Sequence, residues 1–299
     1  MPNWKEVLDE ISSLAQAGDP AALDTVRRKY LAKLEEKSKR NTIAYYSGWL
    51  QNKNPIDSMV NDRDKNAFML NVHKLDRTKG LDLILHTPGG DLAATESIVD
   101  YLHSMFKNDV RAIIPQISMS AGTMIALSCK EIIMGKQSNL GPIDPQMGGV
   151  ACQAVLAEFE HAKKDIKANP SSAPLWQVIV SKYHPTFLQA CQNSIDWSEK
   201  LVEMWLMRNM CAGNKALTKK ILKEFSDHIT NKSHARHISI EKCKEIGVPI
   251  IDLEADNDLQ DLVLTIHHAF MHTFTHSSAC KIVENHKGIA YVENQAPAK

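Results

Sequence analysis

Three absences narrow the function classes open to this 299-residue chain. Lys plus Arg and Asp plus Glu both number 35, so no excess positive charge indicates binding to nucleic acid or to an anionic membrane. The six cysteines contain no Cys-x-x-Cys pair and no small-domain disulfide framework, which predicts reduced thiols in a cytoplasmic protein. No apolar run approaches the length of a membrane span, and the first residues lack the pattern of a signal peptide. We therefore expect a globular protein with no nucleic-acid partner and no integral membrane segment.

The most informative part of the chain is residues 81–146, which contain two turns rich in small residues. The apolar, β-prone run 81–85 ends at the turn Thr87-Pro88-Gly89-Gly90, and the run 110–114 leads to Ser118-Met119-Ser120-Ala121-Gly122. Between them, apolar residues at spacings of three and four predict an amphipathic helix that starts at Leu92. Two such turns in one βαβα unit indicate a reaction centre.

Ser120 is the candidate nucleophile because the pattern places it where a strand turns into a helix. Backbone N–H groups at a helix start lack intrahelical partners and favour negative charge. A hydroxyl there can attack a carbonyl while the N–H of Ala121 stabilises the oxyanion. Gly89 and Gly90 suit the other half of that oxyanion site, since a residue without Cβ lets its N–H approach a substrate closely. The alternative is that Ser118 or Ser120 only caps the helix.

The two turns, extended to Asp91 and Thr123, and the segment Asn139-Leu140-Gly141-Pro142-Ile143-Asp144-Pro145-Gln146 resemble the serine dehydrogenase proteinase family. That family is a soluble branch of the signal peptide peptidase A clan. The resemblance covers roughly residues 45–269. It implies an α/β fold with a Clp/crotonase-like repeated ββα core, and a serine peptidase that acts on peptides or proteins. It also implies Ser120 as nucleophile, Gly89 or Gly90 with Ala121 as oxyanion donors, a lysine as general base, and a homo-oligomer.

The general base is the least determined part of this hypothesis. A buried lysine can take the serine proton because desolvation lowers its pKa toward neutrality. Lys182 is the first choice, since apolar and aromatic residues flank it in Val180-Ser181-Lys182-Tyr183-His184. The other candidates are Lys136, Lys163, Lys164 and His184. His184 is included because Clp-type relatives use a histidine, although spacing identifies no acidic partner for it.

Composition and periodicity divide the chain into five parts. They are an N-terminal helical extension (1–41), the catalytic core (42–150), a helical insertion that covers or flanks the site (151–232), the end of the core (233–276) and a mobile tail (277–299). The extension holds two helices, residues 4–17 and 21–37, which we expect to pack on a neighbour or a second subunit.

Histidines recur every four residues at 268, 272 and 276, which would line one helical face. The pattern lacks the Glu that the zinc-protease motif needs as its general base. We therefore predict an exposed or interfacial histidine stripe, no metal and no cofactor.

Three functions fit these residues. The first is a serine peptidase that works through a Ser120 acyl-enzyme. The second is an α/β-hydrolase-type esterase, since the second turn approaches Gly-x-Ser-x-Gly but lacks the first glycine. That function requires an acid and a histidine to follow the serine in chain order. The third is a non-catalytic or acyl-CoA-binding crotonase-like protein, in which the same turns only shape an oxyanion pocket.

Overall fold

A seven-stranded sheet forms the centre of the protein, for which the computed structural model describes residues 4–51, 53–227 and 231–295. The strands, in chain order, are β1 (Asn41–Ser47), β2 (Leu81–His86), β3 (Val110–Ile114), β4 (Ile117–Ser118), β5 (Glu131–Met134), β6 (Asn139–Leu140), β7 (Gln146–Met147), β8 (Val150–Ala151), β9 (Ile238–Ser239), β10 (Ile250–Asp252), β11 (Ala279–Asn285) and β12 (Ala290–Asn294). The central order is β10-β5-β3-β2-β1-β11-β12. Strands β10 to β1 are parallel, whereas β11 and β12 join antiparallel.

Helices cover both faces of this sheet. They are α1 (Trp4–Gln16), α2 (Ala22–Ser38), α3 (Pro55–Ser58), α4 (Arg63–Val72), α5 (Leu92–Phe106), α6 (Ala121–Ser128), α7 (Cys152–Ala168), α8 (Ala173–Val180), α9 (Phe187–Arg208), α10 (Lys215–Ser226), α11 (Ile240–Ile246) and α12 (Asn257–His276). The core strands are buried almost throughout, as a parallel sheet covered on both faces requires. The predicted α/β class is confirmed, while the repeated ββα detail stays a prediction.

Alternate residues of each strand enter the two different cores. Ile43, Leu83 and Ala112 lie in the larger core, which is completed by α4, α5, α6 and the C-terminal half of α9. Their neighbours Ala44 and Ile84 lie in the smaller core, against α2 and α12. This alternation is the expected consequence of the period-two geometry of a strand.

The N-terminal helices α1 and α2 pack on α12 of the same chain, and the expected contact with a neighbour or a second subunit stays a prediction. Val7 and Val26 form one apolar cluster with Ala269. The indole of Trp4 lies against the rings of His268 and His272, and its carbonyl oxygen is 3.0 Å from Nε2 of His272. Of the predicted exposed or interfacial stripe, His272 is therefore not exposed, because it is buried between α12 and α1.

The C-terminal segment is the clearest difference from the sequence prediction. Residues 277–299 were expected to be a mobile tail, but β11 and β12 occupy residues 279–294 and continue the central sheet beyond β1. Every residue of β11 is buried, including Lys281 and Glu284, which pair with Asp64 and Arg27. Charged residues that are paired inside the protein conceal the apolar pattern by which a strand is recognised.

The helical insertion extends from the core rather than lying wholly on it. Val202, Trp205 and Leu206 of α9 belong to the larger core, whereas α7 and the first half of α9 form their own cluster around Cys152 and Cys191. Helix α8 buries none of its side chains. The division of the chain into five parts stays a prediction. Within the described ranges, no helix has both the length and the apolar character needed to cross a membrane.

Candidate active site

Ser120 lies at a strained turn between β4 and α6. Its φ of 50° and ψ of −116° fall in a region that L-residues rarely occupy, at a cost of about 1–3 kcal/mol. All eight residues of α6 are buried, so the helix holds the turn in place. The Ser120 hydroxyl makes no capping hydrogen bond to the helix. A strained strand-to-helix turn that presents an uncommitted hydroxyl is the geometry of a nucleophile elbow.

The two turns found in the sequence are adjacent in space. The Met119 N–H donates to the Thr87 carbonyl at 3.0 Å, and the Thr87 N–H donates to the Ile117 carbonyl at 3.3 Å. Ser118 is buried in β4, and its carbonyl accepts from the Thr123 hydroxyl at 2.8 Å. Ser118 therefore does not cap α6, because Ser120 occupies the N-cap position.

Gly90 is oriented by a β-bridge to Val60. The Val60 N–H donates to the Gly89 carbonyl at 2.8 Å, and the Val60 carbonyl accepts from the Asp91 N–H at 2.9 Å. Because peptide groups alternate in direction along an extended strand, the N–H of Gly90 itself points away from Val60. A Cβ at Gly90 would lie 2.3 Å from the Val60 carbonyl oxygen, which explains why only glycine fits.

Two backbone donors face the same space as the Ser120 hydroxyl. Within the described ranges, neither Gly90 N–H nor Ala121 N–H has a hydrogen-bond acceptor, and both residues line the cavity that Ser120 lines. The Gly89 N–H, by contrast, donates to the Thr87 hydroxyl at 3.2 Å. A Cβ at Gly89 would come within 2.9 Å of the Ala121 nitrogen. Of the two candidate glycines, Gly90 therefore has the N–H that is available to a substrate oxygen. The absence of a Cβ at Gly89 leaves space beside the Ala121 nitrogen.

A buried ion pair anchors the strand segment that holds Gly90. The Lys281 ammonium donates to Oδ1 of Asp64 at 2.9 Å and to the Met59 carbonyl at 2.7 Å. Oδ2 of Asp64 accepts from the Tyr45 hydroxyl at 2.8 Å. Lys281 and Asp64 are 1% and 0% exposed, so solvent does not weaken this network. It fixes Met59 and thereby Val60, the bridge partner of Gly90.

Ser120 opens into a cavity of about 710 Å³. Most of its wall is apolar, and the largest side chains in it are Met59, Leu92, Met124, Ile143, Met147 and Trp197. Such a cavity excludes much of the water that would otherwise compete for the backbone donors. His234 also lines this cavity.

His234 is held by a buried carboxylate. Its Nδ1 atom is 2.8 Å from Oδ1 of Asp144, whose side chain is completely buried. The other carboxylate oxygen accepts from Nε2 of Gln146 at 2.9 Å. A histidine that donates from Nδ1 to a carboxylate keeps Nε2 as its proton-accepting atom. Ser120 and the imidazole of His234 therefore line one cavity, and the Asp144 carboxylate lies buried behind the imidazole.

The lysine candidates lie elsewhere. Lys182 and His184 are exposed on the turn between α8 and α9, and neither lines the cavity that contains Ser120. Lys136, Lys163 and Lys164 are also exposed, and Lys163 pairs with Glu160. The burial on which the Ser/Lys hypothesis depends is therefore absent at all four lysines.

Sequence inspection missed His234 and Asp144 as a pair. Asp144 lies in the quoted 139–146 segment, and 90 residues separate it from His234. The usable signal was chain order, because Ser120, Asp144 and His234 follow one another as serine, acid and histidine, the order that the esterase hypothesis requires. Spacing alone could not select His234 from thirteen histidines.

Two other histidines lie beneath the Thr87 turn. His86 ends β2, and its ring packs on those of Trp49 and His267 at centroid distances of 4.5 and 5.1 Å. Complete burial lowers the pKa of His86 to about 3 and lowers the pKa of His267 well below its ordinary value. Both rings are therefore neutral near pH 7. In the described ranges, no three His, Cys, Asp or Glu side chains are grouped to hold a metal ion.

Comparison with known proteins identifies relatives of most of the chain. A family model described as ClpP-like SDH-type serine proteinase matches residues 19–272. Uncharacterized protein MJ0137 from Methanocaldococcus jannaschii is 27% identical over 214 residues, which cover 71% of this chain and 66% of that protein. Uncharacterized protein MJ1495 from the same organism is 28% identical over 198 residues, covering 66% and 60%. The chain thus spans less than two thirds of the length of these curated relatives.

Proposed function

Since the chain belongs to the ClpP-like SDH-type serine proteinases, we propose that it hydrolyses peptide bonds through a Ser120 acyl-enzyme, with His234 as general base. The observation that carries this proposal is the shared cavity, where the strained Ser120 turn, two unpaired N–H donors and an Asp144-bound imidazole meet. The family match favours a peptidase over the esterase and acyl-CoA-binding alternatives.

The chemistry follows from these positions. His234 Nε2 takes the Ser120 proton as Oγ attacks the carbonyl carbon of the scissile peptide bond. The N–H groups of Gly90 and Ala121 stabilise the resulting oxyanion. The imidazolium, held by Asp144, gives its proton to the leaving amine as the C–N bond breaks. Water then hydrolyses the acyl-enzyme by the same steps.

A Ser/Lys dyad with Lys182 is the competing mechanism. The exposure of Lys182 and its absence from the Ser120 cavity count against it, because a general base must lie within hydrogen-bond reach of the proton that it takes. The Asp144–His234 pair supplies what Lys182 lacks, which is a side chain held by a buried partner in the lining of the Ser120 cavity.

Fluorophosphonate labelling tests the proposal. We expect the native chain to be labelled at Ser120 and to cleave unfolded protein substrates, and we expect Ser120→Ala to lose both activities. Ser118→Ala is the matched control, since it removes a hydroxyl two residues away that is buried and unconnected to the cavity. Labelling that persists in Ser120→Ala would refute the assignment of the nucleophile.

The expected homo-oligomer also stays a proposal. Leu175 and Val178 on α8 are 63% and 61% exposed, which is unusual for large apolar residues and fits a surface covered by a second copy. Sedimentation velocity at micromolar concentration should show a mass above 33.4 kDa, and a purely monomeric species would contradict it. The expected cytoplasmic location is consistent with six buried cysteines without disulfides, and cell fractionation tests it.

A further inference from the structure

A second cavity of about 700 Å³ adjoins the one that contains Ser120. Pro88, Gln146, Gly149 and His234 line both cavities and form the wall between them. The proposed general base thus stands at the boundary, with the nucleophile and the oxyanion donors on one side only. The mechanism proposed above assigns no role to the second cavity.

The wall of the second cavity is mainly apolar. Trp49, Leu50, Ile117, Met119, Val150 and Ala154 contribute to it. Leu50 and Val150 are 44% and 49% exposed, so large apolar surface at its rim is in contact with water. Covering such surface with an apolar side chain contributes about 25 cal/mol for each Å² removed from water.

The order of events in acyl transfer determines which part of a peptide can reach this cavity. The carbonyl carbon is attacked by Ser120, so the acyl part of the substrate lies in the first cavity with Gly90 and Ala121. The leaving nitrogen must lie against the imidazole that protonates it. The substrate residues on the C-terminal side of this nitrogen therefore continue past His234.

The β7–β8 hairpin provides a backbone surface along the same path. Met147 of β7 lines the first cavity, and Val150 of β8 lines the second. Within the described ranges these two short strands pair only with each other, so their outer edges are open to an extended peptide. Peptide binding by strand addition uses such an edge for its main-chain hydrogen bonds.

From this arrangement we propose that the second cavity is the leaving-group subsite and binds a bulky apolar residue directly C-terminal to the scissile bond. The proposal rests on the proposed peptidase function and adds a specificity to it. Peptides with Leu, Ile, Met or Phe at that position are the predicted substrates, and peptides with Gly there are cleaved poorly.

Cleavage-site mapping by mass spectrometry on a peptide library, with the full chain, gives the first test. We expect large apolar residues to be enriched directly after the cleaved bond. An even distribution, or enrichment of charged residues, overturns the proposal.

A cavity-filling variant gives the second test. Ala154→Phe should lower kcat/KM by roughly tenfold or more for a peptide with Leu after the scissile bond. It should change the value for the matched Gly peptide by less than about twofold. Ala157→Phe is the control, since Ala157 is exposed on the same helix and lines neither cavity. Equal losses on both peptides in Ala154→Phe contradict the proposal.

A methyl ester separates failure of this inference from failure of the proposed function. Methanol, the leaving group of an N-acetyl amino-acid methyl ester, is too small to use the second cavity. We expect native protein and Ala154→Phe to hydrolyse the ester equally. If the native protein hydrolyses ester and peptides without apolar selectivity, the inference alone is wrong. If it hydrolyses neither, the proposed function is wrong and the inference falls with it.

Discussion

Two regions of the molecule differ in how their side chains are held. One comprises the turns that contain Gly90 and Ser120, and the other is the segment between α7 and α9. Around Ser120, the helix behind the turn is wholly buried, and the bridge to Val60 is backed by the Lys281–Asp64 pair. Around Lys182, by contrast, α8 buries no residue and the following turn is exposed. A group that must be held within reach of a nucleophile requires the first kind of environment.

This difference shows what sequence neighbours can and cannot indicate. Val180 and Tyr183 flank Lys182 and suggest a dehydrated lysine, yet Val180 is 37% exposed and Tyr183 donates to Glu158 instead of covering the lysine. His234 has the polar neighbours Ser233 and Arg236, but a buried carboxylate from a distant segment fixes its ring. Burial depends on tertiary packing rather than on adjacent residues.

The largest effect is expected from removing the proposed base. His234→Ala should lower peptide turnover by roughly 10³-fold, since general base catalysis contributes about 10²–10⁴. Lys182→Ala should stay within about twofold of the native rate, as exposed surface substitutions usually do. Steady-state kinetics on the purified variants measures both. A large loss of turnover in Lys182→Ala with little change in His234→Ala would assign the base to Lys182. It would also contradict the difference drawn between the two regions.

The oxyanion side of the site gives the next largest effect. Gly90→Ala places a Cβ 2.3 Å from the Val60 carbonyl oxygen, so the bridge must shift and the Gly90 N–H with it. Loss of one oxyanion donor costs about 10²–10³ in kcat. Gly18→Ala is the control, because Gly18 also has a positive φ but a Cβ there meets nothing within 4 Å. Comparable losses of kcat in both variants would contradict the role of Gly90.

A smaller loss of activity is expected when the anchor behind Gly90 is removed. Lys281→Met leaves Asp64 buried and unpaired, which destabilises the fold by about 3–5 kcal/mol. It also frees Met59, so we expect kcat to fall roughly tenfold with KM little changed, since oxyanion donors act mainly in the transition state.

Arg27→Met is the matched control for this variant. Arg27 on α2 and Glu284 on β11 form an equally buried pair, 1% and 0% exposed, and neither side chain forms a hydrogen bond to Met59. Glu284 also pairs with Arg28. Both variants should lower the melting temperature, but only Lys281→Met should lower kcat in the folded protein at 20 °C. If kcat falls equally in both, the Lys281 pair acts only through stability.

The smallest effect on activity is expected at the histidines beneath the Thr87 turn, which change the pH dependence of stability. Burial lowers the pKa of His86 to about 3, so between pH 6.5 and 3 the unfolded chain binds a proton that the folded chain does not. Stability should therefore fall with pH below 6.5, at about 1.4 kcal/mol per pH unit from His86. Denaturant unfolding measures the free energy of unfolding at each pH. Plotted against pH below 6.5, this free energy should have a shallower slope in His86→Phe than in the native protein. An unchanged slope in His86→Phe would contradict this prediction.

The sequence predicts those parts of the fold whose signals are local. The strands at 81–86 and 110–114 follow from short apolar runs, and the helix that starts at Leu92 follows from the spacing of its apolar residues. The two turns predict Ser120, Ala121 and either Gly89 or Gly90 as one candidate site, and the choice of Gly90 required the structure. Contacts between distant segments could not be predicted, because Lys281 on β11 and His234 beside Asp144 acquire their environment only from the folded chain.

A crystal structure of the fluorophosphonate-labelled protein tests the central claim most directly. We predict a bond from Ser120 Oγ to phosphorus, with the phosphoryl oxygen about 2.7–3.1 Å from the N–H nitrogens of Gly90 and Ala121. His234 Nε2 should lie within about 3.2 Å of Oγ or of the second phosphorus oxygen. A lysine ammonium at that position, or phosphorus bound to any other residue, would contradict the account.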